Sequence, residues 1–306
     1  MRQFSKQIIR FTLLVLIGYT TVIYTLHKNG VKVTNIDKLT LQKGHLYSRL
    51  SEADHIKNMD IVFLGSSHAY RGFDTRVFKA AGINSFNLGS SAQTPVQTLI
   101  VAKNYVREMN PKLVILEVNP MYFKYKGQES TLDFIRNSTT LSLKSKMLWS
   151  GLDIFNFNSF LVNELDNVLG LGDTTTQIGK IDTYVKGGFV ERTMIYHSPA
   201  AYQKKESKKI LTSQVDNFKL LLKFLKENQL NYLLVQSPVT RKFYKNDNQD
   251  EFKALFENEP YINFNDQIVL NDSLDFYDSH HLNQEGVKKF NTTLIKTIQA
   301  EEILKK

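Results

Sequence analysis

Three short apolar runs, each closed by a small or polar residue, narrow the folds open to this chain. They are "IVFLG" at Ile61–Gly65, "SFNLGSS" at Ser85–Ser91 and "KLVILEVNP" at Lys112–Pro120. A continuous apolar run of four or five residues has no polar face, so as a strand it must be covered on both sides. Between the second and third runs, Thr94-Pro95 offers a cap and a first-turn proline. "VQTLIVAKNYVREM" then carries an apolar stripe that Asn110-Pro111 stops. Strand, helix and strand in this order predict parallel pairing through a crossover. Further on come an amphipathic helix over about Glu206–Glu227, a fourth buried strand in "LNYLLVQSPV" and a weaker fifth in "YINFND". A closing helix is expected in the tail from His281. The expected fold class is α/β, a three-layer sandwich around a mostly parallel central sheet.

A second constraint lies at the amino end. Arg2, Lys6 and Arg10 precede Phe11–Leu26, sixteen residues without a charge, and His27 follows. A span of the hydrocarbon layer takes ~20 residues, and arginine at the rim can snorkel to the headgroups. No small-residue cleavage site follows in "YTLHKNG", so a retained signal-anchor is expected over residues 11–27. The positive-inside rule keeps residues 1–10 in the cytoplasm and sends the remainder outside, as a single-pass protein of the bacterial plasma membrane. Residues 28–58 read as a stalk or lead-in segment, within which "KVTNIDKL" could add a short strand. Residues 59–306 read as the extracytoplasmic domain.

The rhythm of strands and helices breaks over about 121–201, an aromatic- and asparagine-rich stretch with "GLGD" and "KGG" turns that begins with "MYFKYK". It is too long for a plain connection and is expected to be an insertion, either a substrate cover or docking surface or a structural helical insert. The net charge of +9 raises the question of nucleic acid. The basic residues are scattered, and the densest group, "KKESKK" at Lys204–Lys209, is broken by an acid, so no nucleic-acid groove is expected. The chain has no cysteine, which removes thiolate nucleophiles and thiolate metal sites. Its His, Asp and Glu residues show no metal-ligand spacing, so neither a metal nor another cofactor is expected.

Polar stations fall at the ends of the expected strands: Ser67, Gly89, Asn119, and "DFYDSHHLNQEG" before the last helix. In an open parallel sheet, groups at the carboxyl ends of strands face a common crevice. A serine hydroxyl needs a base to take its proton as it attacks, histidine titrates near neutrality, and an aspartate can fix the imidazole tautomer. Asp278 and His281 stand three apart and would share a face of a helical turn. Ser67 is then the candidate nucleophile, with oxyanion donors at the Ser67 and Gly89 amides and the Asn119 side chain. His68, Arg71 and His280 are candidate substrate contacts. A cap at Ser66 or Ser67, an ordinary buried histidine at His68 and a surface arginine at Arg71 are the plainer alternatives.

These motifs resemble the SGNH, or GDSL-type, hydrolases and acyltransferases. The resemblance covers about Asp60–Asn119 and Leu270–Phe290. Gly65-Ser66-Ser67 matches the Gly-Asp-Ser block, "NLG" the glycine block, "EVNP" the Gly-x-Asn-Asp block and "DSHH" the Asp-x-x-His block. It implies a flavodoxin-like sheet and the catalytic set Ser67, Asp278 and His281, with Gly89 and Asn119 in the oxyanion hole. Ser66 stands in place of the usual aspartate, Glu117 in place of a glycine, and Pro120 in place of the final aspartate. Those departures are similar to a divergent membrane-anchored branch that includes the teichoic acid D-alanyl transfer protein and exopolysaccharide O-acetylation proteins. The resemblance implies serine-dependent O-acyl transfer, of acetyl or D-alanyl type, to an envelope polysaccharide or teichoic-type polymer. A polytopic membrane-bound O-acyltransferase is the implied partner. A deacylating esterase and a catalytically silent assembly or glycan-binding subunit are the alternatives.

Overall fold

The computed structural model describes residues 2–35, 44–171, 181–198 and 208–305. Part of "KVTNIDKL", most of "KKESKK" and the first residues of the expected Glu206–Glu227 helix lie outside the described residues. Among the described residues there are seven strands: β1 Ile61–Leu64, β2 Ser85–Asn87, β3 Leu113–Glu117, β4 Asp182–Val185, β5 Phe189–Arg192, β6 Tyr232–Gln236 and β7 Tyr261–Asn263. Five form one sheet in the order β2-β1-β3-β6-β7, and every pairing in it is parallel. The weak run "YINFND" supplies the edge strand β7. The chain steps from β1 outward to β2, then returns to the other side of β1 for β3. This reversal opens a crevice at the carboxyl ends of β1 and β3, where ligands of such sheets bind.

Alternation along each strand divides the core in two. Val62, Leu64, Val114, Leu116 and Leu234 face helices His45–Ala53, Pro95–Val101 and Thr212–Glu227. Ile61, Phe63, Ile115, Leu233 and Val235 face helices Ser67–Gly72, Thr75–Ala80 and Gln284–Ala300. Both faces are covered, which is why the strands have no polar side. Helix His45–Ala53 falls in the expected stalk, yet it buries Leu46, Leu50 and Ala53 against the sheet.

Between β3 and β6 the chain builds helices Gln128–Asn137, Leu141–Ser150 and Ile154–Val168, then the antiparallel hairpin of β4 and β5. Among the described residues, one helix is long and apolar enough to cross a membrane, and it occupies Gln3–Lys28. Its upper part lies against helix Ile154–Val168. Tyr19 Oη donates to Asn158 Oδ1 at 2.7 Å, and Tyr24 Oη to Asp166 Oδ1 at 2.8 Å.

Candidate active site

Gly65 ends β1 and the chain turns at once into helix Ser67–Gly72. The two serines divide the work of that turn. Ser66 is the N-cap, its hydroxyl accepting from the His68 amide at 3.2 Å and donating to Glu117 Oε2 at 2.9 Å. Ser67 is the first helical residue, and its amide has no carbonyl one turn back to bond. Its side chain points away from the cap, and the residue keeps 8% of its surface exposed.

Ser67 Oγ lies 2.8 Å from His281 Nε2, and His281 Nδ1 lies 2.8 Å from Asp278 Oδ2. The approach of Asp278 to His281 is not made on a helical turn, as the spacing suggested. Residues 278–281 are a bend before helix Gln284–Ala300. Asp278 Oδ1 accepts the amides of His280 and His281 at 2.9 and 2.8 Å, folding the segment around its own carboxylate. Burial pushes the Asp278 carboxyl up, but the hydrogen bond and charge of His281 outweigh it and hold the group well below the usual range. Asp278 is therefore an acceptor at neutral pH, which directs the Nδ1 proton of His281 toward it and turns Nε2 to Ser67.

The other expected residues take varied places. Asn119 is buried after β3, and its Oδ1 accepts from the Met121 amide at 3.0 Å, so the NH2 is the end of the amide that can donate. The Gly89 amide donates to Asn87 Oδ1 at 3.0 Å, an engagement the sequence did not suggest. A Cβ at Gly89 would come within 2.9 Å of Ala69 Cβ, Ser66 O and Tyr70 N, so the glycine lets the β2 end press on the turn that carries Ser67. Arg71 makes a bidentate pair with Asp182 of β4, at 3.0 and 2.9 Å, and Arg192 of β5 joins the same carboxylate. Arg71 thus fastens the hairpin to the Ser67 helix. His280 stacks on Phe243, with ring centroids 5.0 Å apart.

His68 is buried beside the chain of Ser67, His281 and Asp278, its ring 5.1 Å from that of His281. Burial, then the neighbouring His281 and His280, hold its pKa well below the ordinary value, so it is a neutral imidazole. Its Nδ1 lies 3.7 Å from Glu117 Oε1, and burial pushes the Glu117 carboxyl up to about 8 despite the bond from Ser66. The two departures from the Gly-Asp-Ser and Gly-x-Asn-Asp patterns therefore touch. The carboxyl group missing at Ser66 arrives from β3. The nitrogens of His68, His280 and His281 come within 4.8 Å of one another, a spacing a metal ion could gather. Both nitrogens of His281 already face Asp278 and Ser67, so an ion there would take the base away from the serine.

Tyr122 was not singled out by sequence. Its Oη lies 2.8 Å from Ser67 Oγ, and burial raises its pKa far above the ordinary tyrosine value, which keeps the O–H intact as a donor. It stands in the 3-10 turn Pro120–Lys124 that Asn119 caps. The "MYFKYK" run after the third strand was the visible signal.

No protein-family model matches the chain, and no curated protein matches it. Among solved structures it is similar to a provisionally assigned acylhydrolase from Bacteroides fragilis, at 12% identity and TM-score 0.43, over 87% of this chain and 99% of that one. It is also similar to a GDSL-like lipase from Bacteroides thetaiotaomicron, at 14% identity and TM-score 0.42, over 84% and 98%. A lipase/acylhydrolase from Enterococcus faecalis matches at 11% identity and TM-score 0.38, over 80% and 97%.

Proposed function

We propose that this chain is a serine-dependent acyl-transfer enzyme with Ser67 as nucleophile. The observation that carries the reading is the continuous chain from Ser67 Oγ through His281 to Asp278, each link 2.8 Å long. Ser67 Oγ attacks the carbonyl carbon of an ester or thioester while His281 Nε2 takes its proton. Asp278 stabilises the imidazolium that results. The oxyanion meets the Ser67 amide and the Asn119 NH2. The Gly89 amide would join them by giving up its bond to Asn87. Collapse expels the alcohol or thiol with the proton from His281 and leaves an acyl ester on Ser67. An acceptor hydroxyl then repeats the sequence in reverse.

The acceptor we favour is a cell-envelope polysaccharide or teichoic-type polymer, O-acylated with an acetyl or D-alanyl-like group. The apolar Gln3–Lys28 helix, as a retained anchor, would hold the site at the outer membrane face. A net charge of +9 suits an anionic polymer. A polytopic membrane-bound O-acyltransferase would deliver the acyl group across the bilayer. One observation favours a second reading, hydrolysis: the Asp278 side chain keeps 38% exposure, so water can reach the edge of the site.

Mass spectrometry of surface polymers from wild-type and Ser67→Ala cells tests the reading, alongside labelling of the purified proteins by a fluorophosphonate. Loss of both polymer acylation and label in the variant is expected, with turnover down by about 10⁴-fold or more. Excess acyl groups on the variant's polymers would select the esterase. Unchanged polymers and unchanged labelling in a folded Ser67→Ala protein would leave the silent-subunit reading standing instead.

A further inference from the structure

We infer that the corner between helices Leu141–Ser150 and Ile154–Val168 enters the outer leaflet of the membrane, so that the insertion is a second, non-spanning membrane contact. This rests on the reading of the N-terminal helix as a spanning anchor. The first observation is a mismatch of lengths. The N-terminal helix and helix Ile154–Val168 run in the same direction, because Tyr19 meets Asn158 while Tyr24 and Lys28 meet Asp166. Of the apolar run Phe11–Leu26, only Phe11–Gly18 stands wholly free of the folded body. At ~1.5 Å per residue that free part is about 12 Å long, less than half of a ~30 Å hydrocarbon layer. A bilayer deep enough to take the whole run has to reach the start of helix Ile154–Val168.

The second observation is what stands there. Trp149, Leu152, Ile154 and Phe155 are all exposed at the corner, with Trp149 at 71%. One helical turn before Asn158, they sit level with the part of the N-terminal helix just preceding Tyr19. The third is the polarity of the helix itself. It buries Asn156, Asn158, Ser159 and Asp166 beside Val162, and exposes Ile154, Phe155 and Val168 beside Asn167. A helix on a water-facing surface has the opposite arrangement. Asp153, at the corner, spends its carboxylate on the amides of Phe155 and Asn156 at 2.8 and 3.0 Å, which lowers the cost of leaving bulk water. An immersion of about 5–10 Å suits such an interfacial segment, and tryptophan favours that depth.

The chain tests this without alteration, because Trp149 is its only tryptophan. The full-length protein is reconstituted in phosphatidylcholine vesicles carrying bromine either near the glycerol end or near the tail end of the acyl chains. Flotation after alkaline carbonate reads the anchor, and tryptophan emission reads the corner. We expect the protein to float, its emission to be blue-shifted, and roughly half of it to be quenched by the shallow bromines, with less by the deep ones. Floating protein with unquenched, water-like emission overturns the inference and spares the anchor. Blue-shifted emission that neither lipid quenches also overturns it, and points to a protein surface, such as a second copy, over the corner. Protein that fails to float overturns the anchor reading and this inference together.

Discussion

Tyr122 Oη and His281 Nε2 both stand 2.8 Å from Ser67 Oγ, so in the proposed mechanism a hydroxyl that gives its proton to the imidazole can accept one from the phenol. As Ser67 bonds to carbon in that mechanism, the phenol proton would be free to turn toward the forming oxyanion. In Tyr122→Phe the ring packing survives and the donor is lost. We expect kcat on an aryl ester to fall by about 10²-fold with KM little changed; an unchanged kcat would make Tyr122 a packing residue only. Glu117 permits a different test. Its folded pKa of about 8 exceeds the reference 4.5, so between those values the native state keeps a proton that the unfolded chain releases. Stability from this group is therefore full below 4.5 and declines as pH rises toward 8, by at most about 1.4 kcal/mol per pH unit. Glu117→Gln should flatten that decline in urea melts run across the window, and an identical slope in both proteins would show the carboxyl to be ionised throughout. The Ser67, Asn119 and Asp278–His281 stations were legible because each sits at a strand or helix end that short-range pattern marks. Tyr122 and the Ser66–Glu117 bond were not legible, because each depends on which strand lies beside β1.

The β4–β5 hairpin shows how one element supports the site from outside the sheet. Its turn closes on the edge strand β2, where the Asn87 amide donates to Gly187 O at 2.8 Å. Asn87 in turn holds the Gly89 amide and donates to Ala69 O at 2.8 Å, in the helix that begins at Ser67. Gly188 has φ +93°, and a Cβ there would lie 2.2 Å from Asn87 O. Gly188→Ala should cost about 3 kcal/mol or more, since backbone strain and a backbone clash add, and should lower turnover as Asn87 shifts. Gly170 is the control. Its φ is +66°, but a Cβ meets nothing within 4 Å among the described residues, so Gly170→Ala should cost about 1–2 kcal/mol from conformation alone. Equal losses in urea unfolding would mean that the hairpin tip does not press on β2. Neither the hairpin nor the three helices before it could be read from periodicity. Helix Ile154–Val168 turns asparagines inward, and β4 leaves its residues half-exposed, so neither carries the apolar stripe that reveals an element.

At the scale of the whole molecule, the N-terminal helix, proposed above as a tether, is also a part of the folded body. Ile23 and His27 are buried, and His27 Nδ1 lies 2.9 Å from Thr34 Oγ1. Asp166, whose side chain keeps 3% exposure, receives the Tyr24 hydroxyl at 2.8 Å and the Lys28 ammonium at 3.0 Å. Two truncations separate the roles. The side chains of residues 3–18 are all exposed, so removing the residues through Gly18 should leave the urea midpoint of the body in detergent where it is. Removing them through Lys28 uncovers the seat of Ile23 and takes Tyr24 and Lys28 away from Asp166. The lost apolar contact together with the lost bonds to Asp166 should cost about 2–3 kcal/mol. If both truncations melt with the full chain, the upper half of the helix does not pack on the insertion, and the domain hangs from its anchor by a free linker. If only the longer one is destabilised, helix and insertion move as one piece. On the proposed function, the crevice at Ser67 would then have a fixed tilt to the membrane, and an acyl donor emerging from the bilayer would approach Ser67 from one direction only.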